Sequence, residues 1–289
     1  MADRWLRVAV RRPPAGRAEL LLEGLLSAGG SAVEETADRY VTYLPLHGDR
    51  EAVLHRLRAA LDRVLGPEPL EFEFEDVPEE DWIALWRAGL GARRVGSRIV
   101  VAPTWEAVDA ADHEVVIRID PQMAFGTGEH ASTRGVLRLM QRVVRPGARL
   151  MDVGTGSAIL AIAAALLGAA HVLAVESDPD AIPNAGENVA VNGVADRVTI
   201  QCGLADDAFF RGQGAAAFDG ILANVLSSVL RPLLPAFHRA LVPGGWLILA
   251  GILGDEAAEM RAAAVGAAFA VEAEDSEEQW WGVLLRRVS

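Results

Sequence analysis

The chain is expected to be α/β, a doubly wound, mostly parallel sheet preceded by a small α+β domain of ferredoxin-like order. Three features carry that expectation. From about residue 120 onward, apolar strand candidates alternate with helical segments, the pattern of a parallel sheet with helices on both faces. The first 75 residues instead follow the order β-α-β-β-α-β, which suggests a ferredoxin-like sandwich. Finally, a glycine turn between a strand and a helix at 152–157 is the junction where such sheets bind ligands. The expected boundaries are 1–75 for the small domain, 76–97 for a linker with a short helix, and 98–289 for the large domain.

In the small domain, Trp5 to Val10 alternates like a strand, and Ala18 to Leu26 is helical in composition and stops at Gly29-Gly30. Short strands follow near Ala32–Glu35 and Tyr40–Pro45. Asp49 sits where an N-cap belongs, before the helical stripe Leu54, Leu57, Leu61 and Leu65. Glu71 to Glu75 alternates strictly, as a half-buried strand does. The linker opens a short helix whose Trp82 and Trp86 share a face at i, i+4, a pair that reads as packing.

The large domain begins with strands at Arg98–Ala102 and Val115–Ile119. Strand candidates continue at Arg149–Val153, His171–Val175, Val198–Gln201, Gly220–Ala223 and Trp246–Ala250. Helices are expected over 132–144, 158–167, 179–191, 225–240 and 254–268, with Ser132 as an N-cap. Phe269–Ala273 and Trp281–Arg286 are expected to form an antiparallel end to the sheet.

Composition removes whole chemistries. All 27 basic residues are Arg, so a Walker A phosphate loop, a protein-kinase site and an imine-forming amine nucleophile cannot be built. GC-rich codon usage is the simpler account of the missing Lys, and selection is the alternative. Cys202 is the single Cys, which excludes an internal disulfide framework and any multi-Cys metal site. The N-terminus lacks an apolar signal core, and the longest apolar run, Ala158 to Ala170, is too short to span a bilayer. The expected location is the cytoplasm. The net charge of −13 is spread along the chain with no basic segment, so direct DNA binding is not expected. The same charge is compatible with a basic macromolecular substrate.

The densest chemical signal is Leu150-Met-Asp-Val-Gly-Thr-Gly-Ser-Ala-Ile-Leu160. Gly154 and Gly156 permit a tight turn and close backbone approach, and the following helix start aims N–H groups at a ligand. Glu176 ends the next strand, 22 residues after Gly154, placed to accept hydrogen bonds from ribose hydroxyls. A dinucleotide fingerprint needs a small residue where this chain has Ile159. S-adenosylmethionine carries no pyrophosphate and suits the shorter D-x-G-x-G turn, with Asp152 available for the ammonium of its tail. NAD and a ligand-free turn stay open as alternatives.

Two more segments stand out. Asp120 to Thr133 is a loop rich in Gly, Thr and Ser, and its His130 has only His113 nearby in sequence, so no metal is expected. Asp219-Gly-Ile-Leu-Ala-Asn-Val-Leu226 ends a hydrophobic strand on one amide, Asn224, where such a sheet presents chemistry.

The runs AFGTGEHAST, LMDVGTGSAIL, AVESDPDAI, ILANVL and LVPGGWLILAGIL, with the linker DWIALWRAGLGARRVGSRIVVAPTW, resemble the PrmA methyltransferases over nearly the whole chain. That family methylates the large-subunit ribosomal protein eleven. The resemblance implies a class I methyltransferase-type fold and S-adenosylmethionine as cofactor. It implies Thr133, Gly154, Gly156, Glu176 and Asn224 at cofactor-contacting positions, with Phe125, Gly126 and Thr127 in a loop over the methionine end. It also implies Asn224 as the catalytic residue that accepts hydrogen bonds from the substrate amine, a Lys side chain or N-terminal α-amine. The first 75 residues would recognise the ribosomal protein, and the chain would act as a monomer away from membranes. Three positions depart from the family pattern: Ala158 for a third glycine, Ser132 for Thr and Glu176 for Asp. A class I methyltransferase with another protein or small-molecule substrate, and a noncatalytic S-adenosylmethionine-binding module, are the competing readings.

Overall fold

A computed structural model describes residues 4–11, 13, 17–30, 33–35, 39–46, 50–66, 70–78, 91–119 and 130–288. The chain divides into two compact units, Met1–Leu90 and Gly91–Ser289.

In the first unit, the strands are β1 (Arg4–Arg11), β2 (Val33–Glu35), β3 (Arg39–Leu46) and β4 (Phe72–Pro78), and the helices are α1 (Ala18–Ser27) and α2 (Arg50–Leu65). The strands form an antiparallel sheet in the order β2-β3-β1-β4. The period of two along β1 turns Leu6, Val8 and Val10 to one face, where they bury against Leu21, Leu25, Leu57 and Leu61 of the helices. The ferredoxin-like order is thus seen in full. The Leu stripe of α2 is shifted, since Val53 is buried and Leu54 only partly so. Both ends of the expected linker lie in strands: β4 continues through Asp76 and Val77 to Pro78, and Arg93–Val95 forms a strand of the second unit. Asp49, Trp82 and Trp86 lie outside the described residues.

The second unit opens with a three-stranded sheet, β5 (Arg93–Val95), β6 (Ile99–Pro103) and β7 (Val115–Ile119). Then come α3 (Ala131–Val143), β8 (Arg149–Val153), α4 (Ile159–Leu166), β9 (His171–Glu176), α5 (Ile182–Val191), β10 (Val198–Cys202) and α6 (Asp207–Gln213). The chain continues through β11 (Phe218–Asn224), α7 (Ser227–Ala240), β12 (Leu241–Leu253), a 3₁₀ turn (Gly254–Glu256), α8 (Ala257–Gly266), β13 (Phe269–Glu277) and β14 (Trp280–Arg287). Their seven-stranded sheet has the order β10-β9-β8-β11-β12-β14-β13, parallel up to β12 and antiparallel beyond it.

Both faces of the parallel part are buried. Leu150, Val172, Leu222 and Ile248 face one core, while Met151, Leu173, Ile221 and Leu247 face the other. That is why these strands are continuous apolar runs instead of alternating ones. The order reverses between β8 and β11, so their C-terminal ends, at Val153 and Asn224, flank the switch point where ligands bind in such sheets.

Two expectations need correction. Helix α3 begins at Ala131 with His130 as its N-cap, whereas Ser132 is buried inside the first turn. Its hydroxyl lies 2.7 Å from His130 Nδ1, so it serves the side chain of the capping residue instead of the backbone. Helix α6 was not expected; Asp206 caps it by accepting from the Phe209 N–H at 2.8 Å. Among the described residues, no helix is long and apolar enough to cross a membrane.

Candidate active site

The glycine turn stands at the end of β8. Gly154 and Gly156 have φ of 69° and 52°, left-handed values natural to glycine. A Cβ on Gly154 would also lie 2.4 Å from Cγ1 of Val225, so the turn presses on the residue after Asn224. Ala158, where a third glycine is usual, keeps the left-handed φ of 66° and is fully buried. The backbone shape survives the substitution at a strain of about 1–2 kcal/mol.

Asp152 and Glu176 take different places around the turn. Asp152 is fully buried; its Oδ2 accepts from the Thr155 hydroxyl at 2.6 Å and the Ala161 N–H at 3.1 Å. It braces the turn from beneath, and its Oδ1 is buried without a hydrogen-bond partner. Burial pushes its carboxyl up to about 7, helped by the charge of Glu176 and opposed by the Thr155 and Ala161 hydrogen bonds. Glu176 is nearly buried at the end of β9. Its Oε1 accepts from the N–H groups of Ser177 and Asp178 at 2.8 and 3.0 Å. Oε2 takes the Gly156 N–H at 2.9 Å and keeps capacity for another donor.

Across the switch point, Asn224 and Thr133 meet from 91 residues apart. The Asn224 amide Nδ2 donates to the Thr133 hydroxyl at 3.3 Å, which leaves Oδ1 buried and without a partner. A buried carbonyl oxygen with no donor is rare because its desolvation is uncompensated. Among the described residues none donates to it, so this acceptor is open to another donor. Of the residues named from sequence, Glu176 contacts Gly156, Thr133 contacts Asn224, and Gly154 abuts Val225 beside Asn224. Phe125, Gly126 and Thr127 lie outside the described residues.

Several supporting residues were not anticipated. On α5 and its C-cap, Asn188 donates to the Ser157 carbonyl at 3.1 Å, while Asn192 accepts from the N–H of Arg118 at 2.7 Å and donates to its carbonyl at 2.6 Å. The i, i+4 spacing of Asn184, Asn188 and Asn192 was a visible signal. Arg134 grips Glu277 with Nε at 2.8 Å and Nη2 at 2.5 Å, which ties the turn carrying Thr133 to the β13–β14 hairpin. His130 packs edge-on against Trp280 at 4.7 Å in the same corner, and burial, then the Arg134 charge, hold its imidazole below its ordinary value. No sequence signal links Arg134 to a partner 143 residues away.

The donor set selects the kind of ligand. The Glu176 carboxylate and the unpartnered Asn224 Oδ1 border the turn, the Asp152 carboxyl lies under it, and the stretch 150–178 contributes no Arg. A pyrophosphate would meet carboxylates where it needs cations. S-adenosylmethionine, with a sulfonium, an ammonium and ribose hydroxyls, meets acceptors, so the residues present fit it. Among the described residues, no group of three or more His, Cys, Asp or Glu side chains could hold a metal ion.

Comparison with known proteins agrees with this geometry. The family model described as ribosomal protein L11 methyltransferase (PrmA) matches residues 27–288. A ribosomal protein L11 methyltransferase of Pelotomaculum thermopropionicum is 37% identical over a 309-residue alignment covering 98% of each chain. One from Symbiobacterium thermophilum is 43% identical over 216 residues, 73% of this chain and 68% of its own. The crystal structure of a ribosomal protein L11 methylase from Lactobacillus delbrueckii superposes with a TM-score of 0.60 at 30% identity, covering 69% of this chain and all of that one. With its class I methyltransferase fold and its S-adenosylmethionine donor set, the chain belongs to the PrmA family of ribosomal protein L11 methyltransferases.

Proposed function

We propose that this chain transfers methyl groups from S-adenosylmethionine to amines of ribosomal protein L11, with Asn224 as the residue that orients the amine. The observation that carries the reading is the buried, partnerless Oδ1 of Asn224 beside the glycine turn.

Gly154, Gly156, Glu176 and Thr133 would hold S-adenosylmethionine, with the segment Phe125–Thr127 over its methionine end. When bound, it supplies an electrophilic methyl group on a sulfonium. The chain's own part is selection and alignment. A Lys amine titrates near ~10.4 and an α-amine near ~7.7–8, so the substrate must arrive at the crevice neutral or lose a proton there. Burial favours the neutral amine, because desolvation penalises the ammonium. Asn224 Oδ1 accepts one amine N–H, and the lone pair is thereby fixed in direction. As an amide, Asn224 cannot take the proton itself, so water carries it away. The rate comes mainly from holding the amine in line, which is worth roughly 7–11 kcal/mol when two reactants are well oriented. The first 75 residues would recognise the ribosomal protein.

The test is transfer of radiolabelled methyl to purified L11. Label in L11 with the native chain, and loss of most turnover in Asn224→Ala with cofactor binding partly kept, is the expected result. Near-normal turnover in that variant would sink the assignment of Asn224, and the absence of label in L11 would sink the substrate.

A further inference from the structure

We propose that an exposed apolar step made by Leu226, Val229 and Leu253 is the surface on which the amine-bearing segment of the protein substrate docks. This inference rests on the reading of the chain as a protein-amine methyltransferase and specifies which surface beside Asn224 recognises the segment.

The three side chains are 65%, 43% and 38% exposed, in a unit whose other aliphatic residues are mostly buried. They stand on two neighbouring elements just beyond Asn224. Leu226 follows it by two residues, and the Val229 N–H donates to the Leu226 carbonyl at 2.9 Å, so both ride on the start of α7. Leu253 ends β12, the strand whose Ala250 is paired in register with Asn224. Glu256 ties the two elements: one carboxylate oxygen accepts the Ser227 hydroxyl, and the other accepts the Leu253 N–H at 3.0 Å. Large aliphatic side chains left exposed beside a reactive crevice mark an interaction surface more readily than scattered single ones do.

Charge indicates the occupant. The Ser227 and Leu253 hydrogen bonds hold the Glu256 carboxyl below the usual range, so it is anionic. Both of those hydrogen-bond partners are neutral, and Asp255 places a second carboxyl beside it. Arg231 on α7 pairs with Glu259 and its charge also reaches Glu256, so one guanidinium faces the three acids Asp255, Glu256 and Glu259. A substrate Lys approaches as an ammonium on an aliphatic stem. Such a segment meets carboxylates with its charge and the leucines with its carbon. A second copy of this chain, at net charge −13, would bring like charge to the same place.

The experiment uses the full chain with purified L11. It compares the native enzyme with the double variant Leu226→Ser, Leu253→Ser, the conservative Leu226→Met, and Val229→Ser. Loss of two partly buried aliphatic contacts is expected to raise KM for L11 about tenfold or more. The Kd for S-adenosylmethionine, measured separately by calorimetry, should stay unchanged, and Leu226→Met should restore the native KM. If the double variant loses cofactor binding, Val229→Ser carries the comparison, with a rise in KM of about threefold expected for the loss of one contact. An unchanged KM for L11 overturns the docking surface and leaves the methyltransferase reading intact. So does light scattering that finds a native dimer dissociated by the double variant, which would assign the step to a second copy. A native enzyme that transfers nothing to L11 overturns both.

Discussion

Asp152 carries a pH signature that can be measured on one residue. Its native carboxyl titrates at about 7, against ~3.9 in an unfolded chain. Between these values the native state holds a proton that the unfolded state has released, so stability declines as pH rises through that window. In the ligand-free protein, the native chain should therefore lose melting temperature relative to Asp152→Asn as pH rises from about 4 to about 7. Parallel curves would show that the carboxyl titrates normally. Gly251 is a second position with an outsized role. It has φ of 78°, and a Cβ there would lie 2.6 Å from the Val225 carbonyl oxygen and 2.9 Å from its carbon. Backbone cannot retreat as a side-chain tip can. Gly251→Ala should destabilise the protein by roughly 2–5 kcal/mol, combining left-handed strain with overpacking. Because Val225 follows Asn224, turnover should fall with stability; denaturant midpoint and kcat measured together check this.

At the scale of elements, helix α3 owes its placement to the far end of the chain. Arg134 is 8% exposed and Glu277 meets it from β13, with Arg138 and Asp275 forming a second pair at 2.8 Å one turn on. Removing one partner of a fully buried pair is worth about 3–5 kcal/mol, but Glu277 keeps 30% of its side chain exposed, so about 1–3 is expected for Arg134→Met. A double-mutant cycle with Glu277→Gln should give a coupling above roughly 0.5 kcal/mol. Additive effects would mean that the pair does not hold the helix. The reason to expect lost activity as well is adjacency: Thr133, which accepts from Asn224, is the residue just before Arg134.

For the whole molecule, the charge of −13 shapes how it meets a cationic substrate. Long-range attraction to a cationic partner is screened within ~8–10 Å at physiological salt. The value of kcat/KM for L11 should fall several-fold as NaCl rises from about 50 to about 500 mM, mainly through association. A flat profile would remove electrostatic steering from the account. With no Lys in 289 residues, any methyl-lysine found in the same assay comes from the substrate and not from the enzyme.

Local pattern and composition alone determined the fold class, the ferredoxin-like order of the first unit, the glycine turn and the place of Asn224 at the end of an apolar strand. These follow from short-range rules: strand and helix periods, glycine at tight turns, and a polar residue ending an apolar strand. The family resemblance added Thr133. Other features were decided only by the tertiary structure. Ser132 serves His130 instead of capping the helix, Asp152 Oδ2 is taken up by Thr155 and Ala161, and Arg134 finds Glu277 across 143 residues. Val225 sits against both Gly154 and Gly251, a contact that exists because β11 lies between β8 and β12. The strand order brings those residues together, and it is set by burying both faces of the sheet at once. No window of sequence contains that condition.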